Sequence, residues 1–224
     1  MKKHKHHFGL INLGSCYLSI DERRQYHLPY KARGFSLWVA AGQNYWQYFL
    51  QNHHRASRRY HHPFDNWSRI AMKKIGHTMG VKTSAMVFPY HKGRDNKPLP
   101  FQNISKKFGF SASPLGLFIH PTFGLWAGFR GGFIHQKLPP YRSRWSGIAS
   151  PCAACLTKPC IAICPAKAVH ENYFDTTTCH DYLHHHRDAA CLTGGCLARL
   201  ACPIGTKYRY HKNQSQFFWR GLGW

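Results

Sequence analysis

P-C-A-A-C-L-T-K-P-C-I-A-I-C-P, from Pro151 to Pro165, decides the fold of this 224-residue chain. Eight of the nine cysteines lie between Cys152 and Cys202. Four of the eight belong to the quoted stretch, and the other four follow it, the last one directly before Pro203. Two groups of four thiols indicate metal ligation, because four thiolates complete the coordination of an iron–sulfur cluster or of a zinc ion.

The first group reads C-x2-C-x4-C-x3-C-P and the second C-x11-C-x4-C-x5-C-P. Both resemble the C-x2-C-x2-C-x3-C-P run of bacterial two-cluster ferredoxins, although their gaps are longer. Thiolates need only converge on the iron corners, and Gly194-Gly195 supplies backbone freedom beside Cys196. In the ferredoxin pattern the fourth cysteine of each run ligates the other cluster. The resemblance therefore implies two 4Fe–4S clusters, with ligand sets Cys152, Cys155, Cys160 and Cys202 for the first and Cys164, Cys179, Cys191 and Cys196 for the second.

Zinc and disulfides are the alternatives to iron–sulfur clusters. Paired C-x2-C units make structural zinc sites, but this chain contains only one such unit, and both groups close on Cys-Pro. A disulfide scaffold is typical of short secreted chains. The cysteine pattern therefore favours iron–sulfur clusters, with zinc next and disulfides last.

Composition indicates a globular chain, with 43% hydrophobic and 15% aromatic residues. No apolar run reaches the roughly 18 residues that a membrane span needs. The first residues resemble a short export signal with a lipoprotein-type L-G-S-C ending at Cys16, but the apolar core of about six residues is shorter than the usual roughly 7–15. We therefore expect a cytoplasmic protein without a membrane span, and an ordinary structural role for Cys16.

Positive charge is concentrated in the first part of the chain. Residues 1–145 carry 23 Lys and Arg against 4 Asp and Glu, a net charge of +19 out of +23. Such a surface attracts polyanions, tRNA among them, and Arg55, Arg58 and Arg59 are candidate contacts. The alternative is a compositional bias toward basic residues, in keeping with scattered histidine tracts.

Hydrophobic patterning in the first part alternates strands and helices, which favours an α/β sandwich around one small sheet. In the first part we expect a buried strand over 36–41, helices over 43–51 and 65–79, and a second strand over 83–88. In the cysteine-rich part we expect a third helix over 181–190.

The segment from Ser113 to Gly132 contains Ile-His-Pro, then Phe-Gly-Leu-Trp, then Arg-Gly. It resembles the cobalamin-processing (decyanating) reductase family, whose fold is nitroreductase-like and whose members hold cobalamin in a pocket. The resemblance implies a pocket bordered by His120, Trp126 and Arg130 that binds a cobalamin or a flavin. If the resemblance is set aside, His120 is expected to cap a turn, Trp126 to belong to the core and Arg130 to be an exposed arginine of a strand.

The cysteine-rich part, including C-H-D-Y-L from Cys179 to Leu183, resembles the ferredoxin part of epoxyqueuosine reductase. That family is cobalamin-dependent, carries two 4Fe–4S clusters and acts on tRNA. The combined expectation is an α+β protein with a nitroreductase-like α/β domain over 1–140 and a dicluster ferredoxin-like domain over 141–224.

The function expected of such a chain is electron relay through the clusters to a redox centre or substrate at the first domain, as in an oxidoreductase. A stand-alone electron carrier that docks a donor or acceptor protein is the first alternative. A nucleic-acid-binding protein with structural metal is the second.

Overall fold

The computed structural model describes residues 6–26, 28–57, 62–82, 85–92, 99–137 and 142–221. The chain divides into two compact units. The sheet unit comprises Met1–Gly109 and Gly128–Ile148, and the cysteine unit comprises Phe110–Ala127 and Ala149–Trp224. This division differs from the expected boundary between residues 140 and 141, because 110–127 belongs with the cysteines and 141–148 with the sheet.

The sheet unit is built on a five-stranded sheet in the order β1-β2-β3-β7-β4. The pairs β1–β2, β2–β3 and β4–β7 are antiparallel. The strands are β1 His6–His7, β2 Leu10–Tyr17, β3 Gly34–Ala41, β4 Met86–Val87 and β7 Ala127–His135. Its helices are α1 Ile20–Gln25, α2 Asn44–Ser57, α3 Pro63–Thr78 and α4 Phe101–Ser105, the last followed by a 3-10 turn over Lys106–Phe108.

Strand β3 forms the centre of this unit, since all eight of its residues are buried. A strand covered on both faces needs an apolar residue at nearly every position, as the run F-S-L-W-V-A-A supplies. On the neighbouring β7, a Cβ at Gly132 would collide with the ring of Phe35. Glycine at this position therefore lets the Phe35 ring reach the β7 backbone.

The cysteine unit contains little sheet. A hairpin pairs β5 Ser111–Ala112 with β6 Phe118–Ile119, and isolated bridges join His120 to Gly124 and Val169 to Phe174. Its helices are short: α5 Pro159–Ala162, α6 Thr176–His185, α7 Ala190–Gly194, α8 Leu197–Leu200 and α9 Lys212–Gly221, with a 3-10 turn over Thr206–Tyr208.

The expected mixture of helix and strand is confirmed, as are the buried strand over 36–41 and the helix from residue 43. Helix α3 begins two residues before the expected Asp65, because Pro63 is suited to the first helical turn, where its missing N–H has no partner to lose. The second strand is shorter than expected, and Thr83 and Ser84 lie outside the described residues.

The helix expected over 181–190 is wrong in its bounds: α6 covers Thr176–His185. Asp175 caps it by accepting a hydrogen bond from the backbone N–H of Thr178 at 2.9 Å. That side chain fixes the start of the helix five residues earlier than expected. None of the described helices has the length and hydropathy to cross a bilayer.

Candidate metal centres

The four cysteines of the second expected set line one small cavity in the cysteine unit. Cys164, Cys179, Cys191 and Cys196 all contribute to its wall, together with Pro165. Cys164 belongs to the first sequence run, whereas the other three belong to the second. The fold therefore brings a cysteine from the first run to the three of the second. The cavity measures about 20 Å³, so the thiols would move apart to admit a four-iron core.

Short helices and turns position these four side chains. Cys179 lies in α6 and Cys191 in the first turn of α7. Cys196 is the residue that caps the start of α8, and Gly195 before it has a φ of +99°, a conformation that glycine adopts without strain. The predicted need for glycine freedom beside Cys196 is confirmed.

The first expected set combines three cysteines of the first sequence run with Cys202, the last cysteine of the second run. Cys160 lies in α5, and Cys202 follows α8 with its backbone N–H bonded to the Arg199 carbonyl at 3.3 Å. Cys152 and Cys160 pack against the apolar cluster that contains buried Cys202. Lys158, in the longer gap before Cys160, has a φ of +38°. A left-handed lysine there shows how the chain accommodates residues that a shorter ferredoxin gap lacks.

Electrostatic coupling among the thiols follows the same two sets. Burial raises the pKa of Cys152, and the charges of Cys202, Cys160 and Cys155 raise it further. Burial likewise raises the pKa of Cys202, with a contribution from Cys155. Since coupling of this kind requires proximity, the first-set thiols lie near one another.

The second set behaves in the same way. Burial raises the pKa of Cys179 to about 11, with further contributions from Cys196, Cys164 and Cys191. Burial also raises the pKa of Cys196, with contributions from Cys191 and Cys164. Raised thiol pKa values mean that these side chains are protonated at neutral pH until a metal takes the proton's place.

Backbone N–H groups approach several of the sulfur atoms. Burial raises the pKa of Cys160, Cys196 and Cys202, and these N–H groups offset part of the rise. They belong to Cys160 and Ile161 for Cys160, to Arg199 and Ala198 for Cys196, and to Ile204 for Cys202. Hydrogen bonds to sulfur stabilise the thiolate form and tune the reduction potential of a cluster held by it.

All nine cysteines, each within the described part of the chain, are free thiols. Across the described residues, no three His, Cys, Asp or Glu side chains stand close enough to hold a single metal ion. The ninth cysteine, Cys16, lies in β2 of the sheet unit, where burial raises its pKa to about 12. A half-buried thiol with a pKa this high is largely protonated and therefore unreactive at neutral pH.

The fully buried His120 closes the turn after β6 in the cysteine unit. Its Nδ1 accepts hydrogen bonds from the backbone N–H groups of Thr122 at 3.1 Å and Phe123 at 3.4 Å, and its ring stacks on Phe123. Gly124 of this turn meets the backbone of Ile204 and Gly205, where no Cβ would fit. The His-Pro turn therefore supports the segment that follows Cys202.

Trp126 and Arg130 have different surroundings. Trp126 is buried in the cysteine unit, with the Arg199 guanidinium 4.5 Å above its ring and the Tyr210 ring 5.3 Å away. Arg130 belongs to β7 in the sheet unit, where it donates a hydrogen bond to Asp65 at 3.1 Å and lies over the ring of Phe64. Each residue thus has contacts within its own unit.

Trp126 lines an aromatic groove of about 460 Å³ in the cysteine unit, and His120 and Arg130 do not. Sequence reasoning missed the other walls of this aromatic groove. The signal available was the run Phe217-Phe218-Trp219 in the polar C-terminal segment, of which Phe218 and Trp219 line the groove.

The chain matches no protein-family model. No curated protein matches it significantly either.

Proposed function

We propose that this chain is an iron–sulfur protein that holds two 4Fe–4S clusters and relays electrons through them. The observation that carries the proposal is the cavity lined by Cys164 together with Cys179, Cys191 and Cys196. Two-cluster ferredoxins are built by this crossing, in which one run lends its fourth cysteine to the other cluster. The clusters would supply one-electron chemistry, and the chain would supply the thiolates.

The residues around the thiols fit this role. The sulfur atoms are half-buried or buried, which limits the access of water and oxygen. Backbone N–H groups at Cys160, Cys196 and Cys202 lower the cost of negative charge on sulfur. Burial and hydrogen bonding of this kind are the means by which a protein sets a cluster's potential.

The part of the chain over residues 1–140 is the proposed site of the redox centre or substrate. A nitroreductase-like domain with a bound cobalamin or flavin would make the chain a cytoplasmic reductase that uses the clusters as its internal electron supply. The stand-alone carrier, which docks a donor or acceptor protein, is the alternative. Cobalamin added to the anaerobic protein distinguishes the two, because only the reductase binds it in the micromolar range.

His120→Ala extends that test to the predicted cofactor pocket. If His120 borders the pocket, the variant binds cobalamin more weakly while the iron and sulfide content stays unchanged. A matching loss of iron would instead assign His120 to support of the segment after Cys202, with which its turn is packed.

Anaerobic purification from a host with intact cluster assembly tests the central proposal. We expect close to eight iron and eight sulfide per chain, because each of two clusters contains four of each. Zinc in stoichiometric amount without sulfide would show that the cysteines form zinc sites.

A second candidate function, binding of a polyanion such as tRNA, is favoured by one face of α3. Arg69, Lys73 and Lys74 are exposed there, and Asp65, the one carboxylate of the helix, is bonded to Arg130. A basic face of this kind attracts phosphate groups. The candidate contacts Arg58 and Arg59 lie outside the described residues, as does the side chain of Arg55.

The salt dependence of tRNA binding tests this candidate. Replacing Lys73 and Lys74 by Gln should reduce the slope of log affinity against log salt by about 1.4–1.8, since each lost phosphate contact removes roughly 0.7–0.9. Lys82→Gln combined with Lys106→Gln is the matched control, because it removes the same charge outside α3. Affinity that does not change with salt would show that the basic surface reflects a compositional bias and not a binding site for polyanions.

A further inference from the structure

The aromatic groove of the cysteine unit has the size and lining of a small-molecule site. Its volume of about 460 Å³ lies within the roughly 300–1,000 Å³ of ligand pockets. Most of its wall is apolar, and Trp126, Phe174, Tyr210, Phe218 and Trp219 provide aromatic rings. Flat aromatic walls favour a flat aromatic ligand, because ring pairs stack or meet edge to face.

Two hydrogen-bond donors in this wall have no acceptor. Among the described residues, the Nε1 of Trp126 and the Nε of Arg199 are buried without a hydrogen-bond partner. Burying a donor in this state is unfavourable, so a ligand acceptor that reaches either donor after a small shift of its side chain would stabilise the site. Carbonyl oxygens at the edge of a ring are acceptors of this kind.

The remaining polar side chains of the wall suit the same chemistry. Thr176, Ser215 and His180 offer hydroxyl and imidazole groups that can donate to further carbonyls. The described wall includes the Arg199 cation and no carboxylate. Such a wall favours a neutral or anionic ring over a cationic one.

The groove also borders the second set of thiols. Cys179 and Cys196 belong to its wall and to the wall of the small cavity that all four second-set cysteines line. A ring in the groove would therefore lie beside these two ligands. No other described wall residue is a cysteine.

We infer that the aromatic groove binds a flat conjugated ring with carbonyl acceptors at its edge, the chemistry shared by quinones and isoalloxazines. The assignment of this ring as an electron acceptor rests on the proposed function, because it requires a cluster at Cys179 and Cys196. Binding of the ring itself requires only the groove.

Calorimetric titration of the anaerobic full-length protein tests the inference. Menadione and riboflavin are the quinone and isoalloxazine probes, and 2-methylnaphthalene has the menadione ring without its carbonyls. We expect at least one carbonyl-bearing probe to bind in the micromolar range, and 2-methylnaphthalene at least tenfold more weakly than menadione. The tighter of menadione and riboflavin identifies which ring the groove prefers.

Two variants locate the site. Phe218→Ala should weaken binding about tenfold, whereas Phe217→Ala, the neighbouring phenylalanine of α9 that is not in the wall, should leave it unchanged. Ser215→Phe fills the groove and should abolish binding. Binding that neither Phe218→Ala nor Ser215→Phe alters would place the ligand elsewhere and overturn the inference.

Iron and sulfide analysis of the same samples separates this inference from the proposed function. If the protein contains eight iron atoms and binds neither menadione nor riboflavin, the groove assignment is wrong and the relay stands. If the protein binds a probe but contains zinc, the electron-acceptor role is wrong.

Discussion

The sheet unit buries many large side chains, such as Trp38, Trp67, Tyr45 and Phe35. The cysteine unit also buries Trp126 and Phe123, but its thiols lie beside two small apolar clusters. The first of those clusters holds Leu115, Ile119, Leu125, Val169 and Ala198 around Cys202, and the second holds only Leu183, Ala189 and Cys191. A small core of short helices needs a further source of stability, which disulfides or metals provide in small domains. We therefore expect apolar packing to stabilise the sheet unit and metal ligation to stabilise the cysteine unit.

Removal of the clusters should give the largest effect. Anaerobic chelation of iron should abolish amide protection in α7 and α8, because metal-binding free energy is folding free energy in such units. Protection in β3 should persist, since its buried residues pack within the sheet unit. Hydrogen–deuterium exchange read by mass spectrometry measures both segments in one sample. Equal loss of protection in the two units would contradict the comparison.

Phe133→Ala should give the converse result. Phe133 is fully buried in β7 and meets Trp38 edge to face, with ring centroids 6.4 Å apart. Truncation of a buried Phe costs about 3–5 kcal/mol of unfolding free energy. We expect lower protection in β3 and an unchanged iron content in the folded fraction. Tyr30→Ala, at a side chain that is 78% exposed, is the control and should change neither.

Replacement of the Glu22 carboxylate should give the smallest change in stability. This carboxylate accepts hydrogen bonds from Lys107 at 2.6 Å and from the backbone N–H of Ser19 at 2.8 Å, and so caps α1. Burial acts to raise the pKa of Glu22, but these hydrogen bonds outweigh burial and hold the pKa below 4.5. Because the folded-state pKa is lowered, the carboxylate stabilises the fold fully above pH 4.5 and loses this contribution as the pH falls through the folded pKa.

Glu22→Gln should therefore lower the unfolding free energy by roughly 0.2–1 kcal/mol at pH 7, because Gln keeps the hydrogen bond to the Ser19 N–H and loses the ion pair with Lys107. Urea titration of wild type and variant measures this difference. The difference should shrink as the pH falls below the folded pKa of Glu22. A constant difference between pH 7 and that range would show that the carboxylate charge is not the cause.

Local patterns were sufficient to predict much of the sheet unit. The run from Ser36 to Ala41 is apolar enough to indicate a buried strand, and the structure confirms it. The starts of α3 and α6 were missed because Pro63 and Asp175 set them, whereas the expected helices began at Asp65 and Asp181. Boundaries of this kind depend on one side chain.

Long-range arrangement was harder to predict. His120, Trp126 and Arg130 are close in sequence, yet the first two belong to the cysteine unit and Arg130 pairs with Asp65 in the sheet unit. The close backbone contact between Gly124 and Ile204 that holds the His-Pro turn has no local signature in the sequence. The cysteine sets could be predicted from the spacing of the cysteines and from the two Cys-Pro endings. That they hold clusters stays a prediction.

Exchange of single cysteine ligands tests the crossed ligand sets most directly. Cys164→Ser should remove the cluster of the second set and leave the one held by Cys152, Cys155, Cys160 and Cys202. Cys202→Ser should do the reverse, and Cys16→Ser, in the sheet unit, should remove neither. Electron paramagnetic resonance of the reduced proteins, with iron analysis, should show about four iron atoms left in each of the first two variants and two different remaining signals. The same remaining signal in both variants, or zinc in place of iron, would contradict the account.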